Sequence, residues 1–313
     1  MMTQEMFKFK SIQMSKEVTL AGDFVFTSAK VAMQLTPVHN EFDINAILYN
    51  GSVGIERLQK IYLYLCLENP FEEHEDLKTH NHSSLEDKVA LESGKNLYDN
   101  GKKLISIFNE YYSQYRYGNY APVPKGKTIV DLFISFIKNL NGKVNFYEPI
   151  TAYEFEPFKR FYINTLGKTA RYYYELIRDK ADEIGVFTYE LDSLSNATRI
   201  FWGDNPLYDE MILEQQAVKE LFLYFYKNKP REGVFRLLNE MESLEFDNAL
   251  VNDFLSELSD GKTNHQLTDW VSEMYCDIED EKELKNRKEL VSLIGNPGVD
   301  YYWDEEVDDE DDF

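Results

Sequence analysis

The chain of 313 residues carries 56 acidic against 33 basic side chains, a net charge of −23 and a pI near 4.6. It is 43% hydrophobic and 15% aromatic, which excludes wholesale disorder. An acidic body repels nucleic-acid backbones, so a nucleic-acid site here has to be a local basic pocket; otherwise the charge serves solubility.

The opening Met1–Lys10 mixes polar and apolar residues without an apolar signal-peptide core. The longest apolar run, around Ile61–Leu67, is far short of the ~20 residues of a membrane span. Cys66 and Cys276 lie far apart in helical-looking surroundings, which argues against a disulfide framework and for a reducing compartment. A cytoplasmic protein that does not enter membranes is the expectation.

Glu17–Leu35 reads as a first helix, although its central Phe24-Val25-Phe26 would also suit a short strand, and Thr36-Pro37 ends it. Asp43–Glu68 is the clearest helix: Ile44, Ile47, Leu48, Ile55, Leu58, Ile61, Tyr62 and Leu65 recur at helical spacing. A polar loop, Glu68–His82, leads to Ser84-Leu85-Glu86-Asp87, which matches a capping box. From there a long helix is predicted to about Tyr117, with Gly94 and Gly101 as kinks. Gly118–Lys127 is a connector, Thr128–Leu140 a compact apolar helix, and Asn141-Gly142 its stop.

Glu156–Ile184 is predicted as a long helix, Val186–Trp202 as a strand or loop, and Asp204-Asn205-Pro206 as a break. Amphipathic helices follow over Leu207–Lys227, Arg231–Glu242, Asn248–Leu258, His265–Asp277 and Glu281–Leu293. The run Leu221–Tyr226 reads as buried helix, and Arg171-Tyr172-Tyr173-Tyr174 as core packing with at most one or two rings sharing a face. The expected architecture is all-α: an up-and-down bundle over 1–145, a second helical region over 146–294 and an acidic tail over 295–313.

His74, His80 and His82 with Glu72, Glu73, Glu75 and Asp76 form a polar loop whose composition also suits a divalent metal, but no HExxH or CxxC spacing supports one. There is no phosphate-binding loop, and Gly51-Ser52-Val53-Gly54 falls inside a helix, where small residues let a neighbour approach closely. Neither cofactor nor metal is expected.

Within Tyr49–Lys60, Glu56 and Lys60 form a favourable i, i+4 pair beside Arg57. His80 and His82 follow before the next helix, and Arg116-Tyr117 at its end. This order, over roughly Glu17–Leu140, resembles the HEPN superfamily of helical domains in prokaryotic toxin–antitoxin and anti-phage systems. The resemblance implies a bundle that acts on RNA, with Arg57 and Lys60 as ligand-binding residues and a homodimer, since the family's catalytic residues converge from two protomers. Active members carry Arg-x4-His, yet no arginine here has a histidine five positions on. Cleavage would then use His80 or His82 as general base and Arg116 to stabilise the phosphorane; the plainer alternative makes Arg57 and Arg116 ion-pair partners within the bundle.

Asp300–Phe313 holds nine acids and no base, together with Tyr301, Tyr302, Trp303 and the terminal Phe313. Gly295-Asn296-Pro297-Gly298 hinges it. Its end partly resembles the acidic tip of bacterial single-stranded-DNA-binding proteins, although Asp312 stands where those have proline. These four aromatics are the candidate partner-binding anchors for a basic groove on another protein; the alternative is a passive solubility tail. Two functions follow: a HEPN-like component of a defence or toxin-type complex that binds or cleaves RNA, or a non-catalytic acidic adaptor that covers a partner's basic nucleic-acid-binding surface.

Overall fold

The computed structural model describes residues 2–35, 41–116, 128–137, 152–186, 195–203, 205–228, 241–260 and 265–294. Among them the protein is all-α, without a strand, and no helix is long and apolar enough to cross a membrane. The chain divides into two compact units, Met1–Leu213 and Glu214–Phe313.

The first unit begins with α1 (Gln4–Lys8), which passes through a π-helical segment, Phe9–Gln13, into α2 (Met14–Gln34). Phe24 to Phe26 are therefore helical rather than a strand. Next comes α3 (Glu41–Cys66), whose buried positions run from Ile44 to Leu65 at the spacing the sequence predicts. Lys10 Nζ donates to Leu65 O (2.9 Å), Gly54 faces Ala21 and Val25, and Ser28 Oγ donates to Ile47 O (2.7 Å). Positions running forward from Lys10 through α2 thus meet positions running backward along α3, so the two helices are antiparallel.

The small residues of α3 make this packing close. A Cβ on Gly54 would lie 2.8 Å from Val25 Cγ2 and 3.0 Å from Ala21 O. One on Gly51 would lie 2.8 Å from both Phe108 Cζ and Tyr162 OH. Tyr162 belongs to α7 (Ala152–Ile184), which runs parallel to α3: Tyr162 OH donates to Ile47 O (3.4 Å) and Gln59 Nε2 to Tyr173 OH (3.0 Å). Tyr173 and Tyr174 are buried, as core packing requires.

Between them lie α4 (His82–Ser93), α5 (Asp99–Glu110) with a second π-helical segment, Tyr111–Tyr115, and α6 (Ile129–Ile137). The cap of α4 is Asn81, whose Oδ1 accepts from Ser84 N (2.8 Å), so Ser84 sits inside the first turn and is not the cap. The long helix expected over 84–117 is broken: Gly94 takes the left-handed conformation (φ 65°), caps α4, and the backbone restarts at Asp99. Gly101 stays inside α5. Where a strand or loop was expected, Asn196–Phe201 forms α8, and Ala197 sits where a Cβ on Gly22 would be 2.5 Å from its own.

Residues of α7 and α8 share one hydrophobic core with α2 and α3. The boundary expected at 145 therefore falls inside the first unit, and the compact units part at Leu213, within α9 (Leu207–Asn228).

In the second unit Phe254 of α10 (Val251–Asp260) is buried against Phe246 and against Trp270 of α11 (His265–Cys276). Asp280 caps α12 (Glu281–Val291). The run expected to be buried is not: Leu221, Leu223, Tyr224 and Tyr226 are exposed. Their spacing of two, one and two residues spreads them around the helix instead of along one face. Cys66 and Cys276 are free thiols. The expected elements at Thr36-Pro37, Gly118–Lys127, Asn141-Gly142 and Arg231–Glu242 lie wholly or largely outside the described residues, as does the tail with Tyr301, Tyr302, Trp303 and Phe313.

The tight α2–α3 contact sets a stability test. Gly54→Ala gains helix propensity of about 1 kcal/mol but forces a methyl against Ala21 O, a backbone atom that cannot rotate away. A net loss of about 1–2 kcal/mol is expected in urea unfolding; an unchanged or raised midpoint would disprove the close approach.

Candidate functional site

One face of α3 borders a cavity at the edge of the core. Tyr49, Val53, Glu56, Arg57, Lys60, Ile61 and Tyr64 recur every three to four residues and floor a cavity of about 720 Å³. One wall is the π-helical turn and the start of α2, with Phe9, Gln13, Met14 and Glu17; the other holds His80, Tyr112 and Arg116. Both π-helical segments border the cavity, a placement common for such segments at functional sites.

Four sequence-selected residues meet here: Arg57, Lys60, His80 and Arg116 all line this cavity, brought from three separate segments. Arg57 is ion-paired with Glu17 and lies over the Phe24 ring (5.4 Å). Lys60 Nζ is 2.8 Å from Glu56, the i, i+4 pair that the sequence suggested. His80 Nδ1 donates to the same carboxylate (3.0 and 3.1 Å), an arrangement that leaves Nε2 as the nitrogen open to a substrate. Tyr112 organises the far wall: the His80 ring stacks on it at 4.8 Å, and the Arg116 guanidinium carbon sits 4.3 Å from its centroid and 5.4 Å from that of Tyr49.

His82 stands elsewhere. It is fully buried, its Nε2–H donates to Ser52 O (3.1 Å), and its ring tilts against Phe108 and Tyr112. The backbone is extended at Asn81 and helical from His82, so one imidazole reaches the cavity while the other enters the core. A substrate cannot touch His82, which corrects its selection as a candidate base. Burial holds its pKa below the ordinary value, keeping it neutral. Gln59 Nε2 ties the His82 carbonyl (3.2 Å) to Tyr173, whose hydroxyl donates to Glu86. Desolvation raises the Glu86 pKa.

His74 Nε2 bonds to Asn69 O (2.9 Å), so the three loop histidines do not converge. Among the described residues no group of histidine, cysteine and carboxylate side chains is arranged to hold a metal. Sequence reasoning missed Tyr49, Tyr64, Tyr112, Glu17 and Phe9. The i, i+4 pair Tyr112–Arg116 was the available signal for one of them.

Comparison with protein-family models, with characterised proteins and with solved structures gives no match for this chain.

The buried pair titrates with opposite signs. A His82 pKa held below its ordinary value near 6.5 contributes stability that is complete above that pH and lost as pH falls. A Glu86 pKa raised above 4.5 contributes stability that is complete below that pH and lost as pH rises through the folded value. His82→Gln should therefore flatten the fall in Tm between pH 7 and 5, and Glu86→Gln should steepen it. Identical Tm-against-pH slopes in both variants and the wild type would refute the assignment.

Proposed function

We propose that this chain is a HEPN-like helical component of a prokaryotic defence or toxin-type complex that binds and cleaves single-stranded RNA in the α3 cavity. One observation carries the reading: Arg57, Lys60, His80 and Arg116, from three separate segments of the chain, line a single cavity. That cavity sets three fixed cations and an imidazole against two carboxylates, in a chain of net charge −23. The acidity is also uneven. Met1–Leu213 holds 29 acids and 23 bases, whereas Glu214–Phe313 holds 27 and 10, so the unit with the cavity is not far from neutral.

In the chemistry proposed, His80 Nε2 accepts the proton of a ribose 2′-hydroxyl while Glu56 holds Nδ1–H and offsets the imidazolium charge. The 2′-oxygen attacks the adjacent phosphorus, and Arg116 and Lys60 counter the charge of the phosphorane. The 5′-oxygen departs and takes a proton from water, leaving a 2′,3′-cyclic phosphate and a 5′-hydroxyl. No metal enters these steps.

The assay is cleavage of an end-labelled single-stranded RNA in EDTA. His80→Ala should lower the rate roughly a hundredfold or more, and Arg116→Ala comparably. Equal rates in wild type and His80→Ala, or no cleavage by either, would sink the catalytic role.

The strong acidity of Glu214–Phe313 and the exposed apolar residues of Leu221–Tyr226 favour a second reading, an acidic adaptor that covers a partner's basic surface. Truncation before Asp300 tests its tail component: proteins encoded beside this chain should stop co-purifying, and unchanged co-purification would reduce the tail to a solubility device.

A further inference from the structure

The groups of the proposed cleavage gather toward one end of the cavity. His80 (4.8 Å) and Arg116 (4.3 Å) both pack against the Tyr112 ring, Arg116 also lies over Tyr49, and Glu56 holds His80 from the middle of the floor. The other end has no part in that chemistry. There Tyr64 closes the floor and Phe9 the wall, with Gln13 and Ile61 beside them. Phe9 meets Tyr64 edge-on at 6.1 Å and Phe71 edge-on at 5.5 Å, and half of Phe71 is exposed. Aromatic rings on a cavity wall with an amide next to them suit a nucleobase, which needs a surface to stack on and a polar group for its edge.

Distance along α3 gives that base its place in a strand. Tyr64 follows Glu56 by eight residues, about 12 Å at 1.5 Å each, and the whole floor from Tyr49 measures about 22 Å. An unstacked strand advances about 6–7 Å per nucleotide, roughly twice the 3.4 Å rise of a duplex strand. The floor therefore spans about three nucleotide steps, and its aromatic end stands about two steps from His80 and Glu56.

We propose, resting on the RNA reading above, that Phe9 and Tyr64 form a base-stacking subsite for the nucleotide two steps from the cleaved phosphate, so that the cavity engages four consecutive nucleotides. Arg116 and Lys60 stay with the phosphorane. Arg57, 35% exposed on the floor, meets an intervening phosphate. Because Glu17 already pairs with Arg57 and Glu56 with Lys60, phosphates gain little from these cations. The stacked base then decides how tightly a strand is held, and a ring face accepts any base.

The test is cleavage by the full chain of a ten-nucleotide DNA strand with one central ribouridine, so that a single phosphodiester has the 2′-hydroxyl that cleavage needs. Abasic residues replace the other bases one at a time. On one side of the cut, loss of the base two steps away should raise KM roughly five- to a hundredfold while kcat stays within about threefold. Tyr64→Ala should raise KM by a similar factor on the intact strand and add nothing on the strand already abasic at that position.

An abasic series in which no base two steps away matters overturns the subsite, as does a Tyr64→Ala effect of the same size on intact and abasic strands; either outcome leaves cleavage itself standing. Failure to cut this strand while an all-ribose strand is cut also overturns it, since stacking is indifferent to the sugar. Failure to cut either strand overturns the subsite and the RNA reading together. The abasic series needs only the wild-type chain, so it decides the matter even where Tyr64→Ala fails to fold.

Discussion

The bundle depends on how closely α2 and α7 approach the small-residue face of α3. Gly51 and Gly54 leave no room for a side chain against Tyr162, Phe108 and Val25. That closeness lets Ser28 Oγ reach both Ile47 O and Tyr162 OH, bonding three helices at one buried point. It also fixes the rotation of α3 about its axis. With the glycine face turned inward, the stripe from Tyr49 to Tyr64 must face the opposite way and becomes the cavity floor. Core and site are two faces of one helix, so a change that rotates α3 alters both.

The buried polar chain adds the second constraint. His82 is bonded through its ring to Ser52 O and through its carbonyl to Gln59, both on α3. These bonds pin the first turn of α4, and Asn81 caps that turn. His80, two residues earlier, is thereby delivered to Glu56 and Tyr112. An apolar residue at 82 would pack as well but would not bond to the Ser52 carbonyl. The position of His80 rests on hydrogen bonds that burial shields from water.

Helix positions were legible because the apolar period of 3.6 survives in α3, α7, α10 and α11, and the Glu56–Lys60 pair because its geometry is local. The close contacts of Gly51 and Gly54 were legible for the same reason, since small residues inside an apolar helix have few other uses. The break at Gly94 was not, because a glycine inside a periodic stretch can either bend a helix or end it. The π-helical segments were hidden as well: each inserts one residue in response to packing, and no composition marks them. The cavity aromatics were not legible, since nothing in the sequence around Tyr49, Tyr64 and Tyr112 marks a ring that lines a cavity. Leu221–Tyr226 misled in the opposite direction, because apolar content says nothing about whether a neighbour exists to cover it. Of the two histidines in the H-x-H pair, only the backbone turn at Asn81 decides which one meets solvent.

The cavity cations are not bare. Arg57 is held by Glu17, Lys60 and His80 share Glu56, and Arg116 rests on two aromatic rings. An incoming phosphate must compete with carboxylates already in place, so it gains only the difference between two ion pairs. Charge alone thus gives this site modest affinity for an anion. Paired cations release an anion readily, which suits the cleavage proposed for this site.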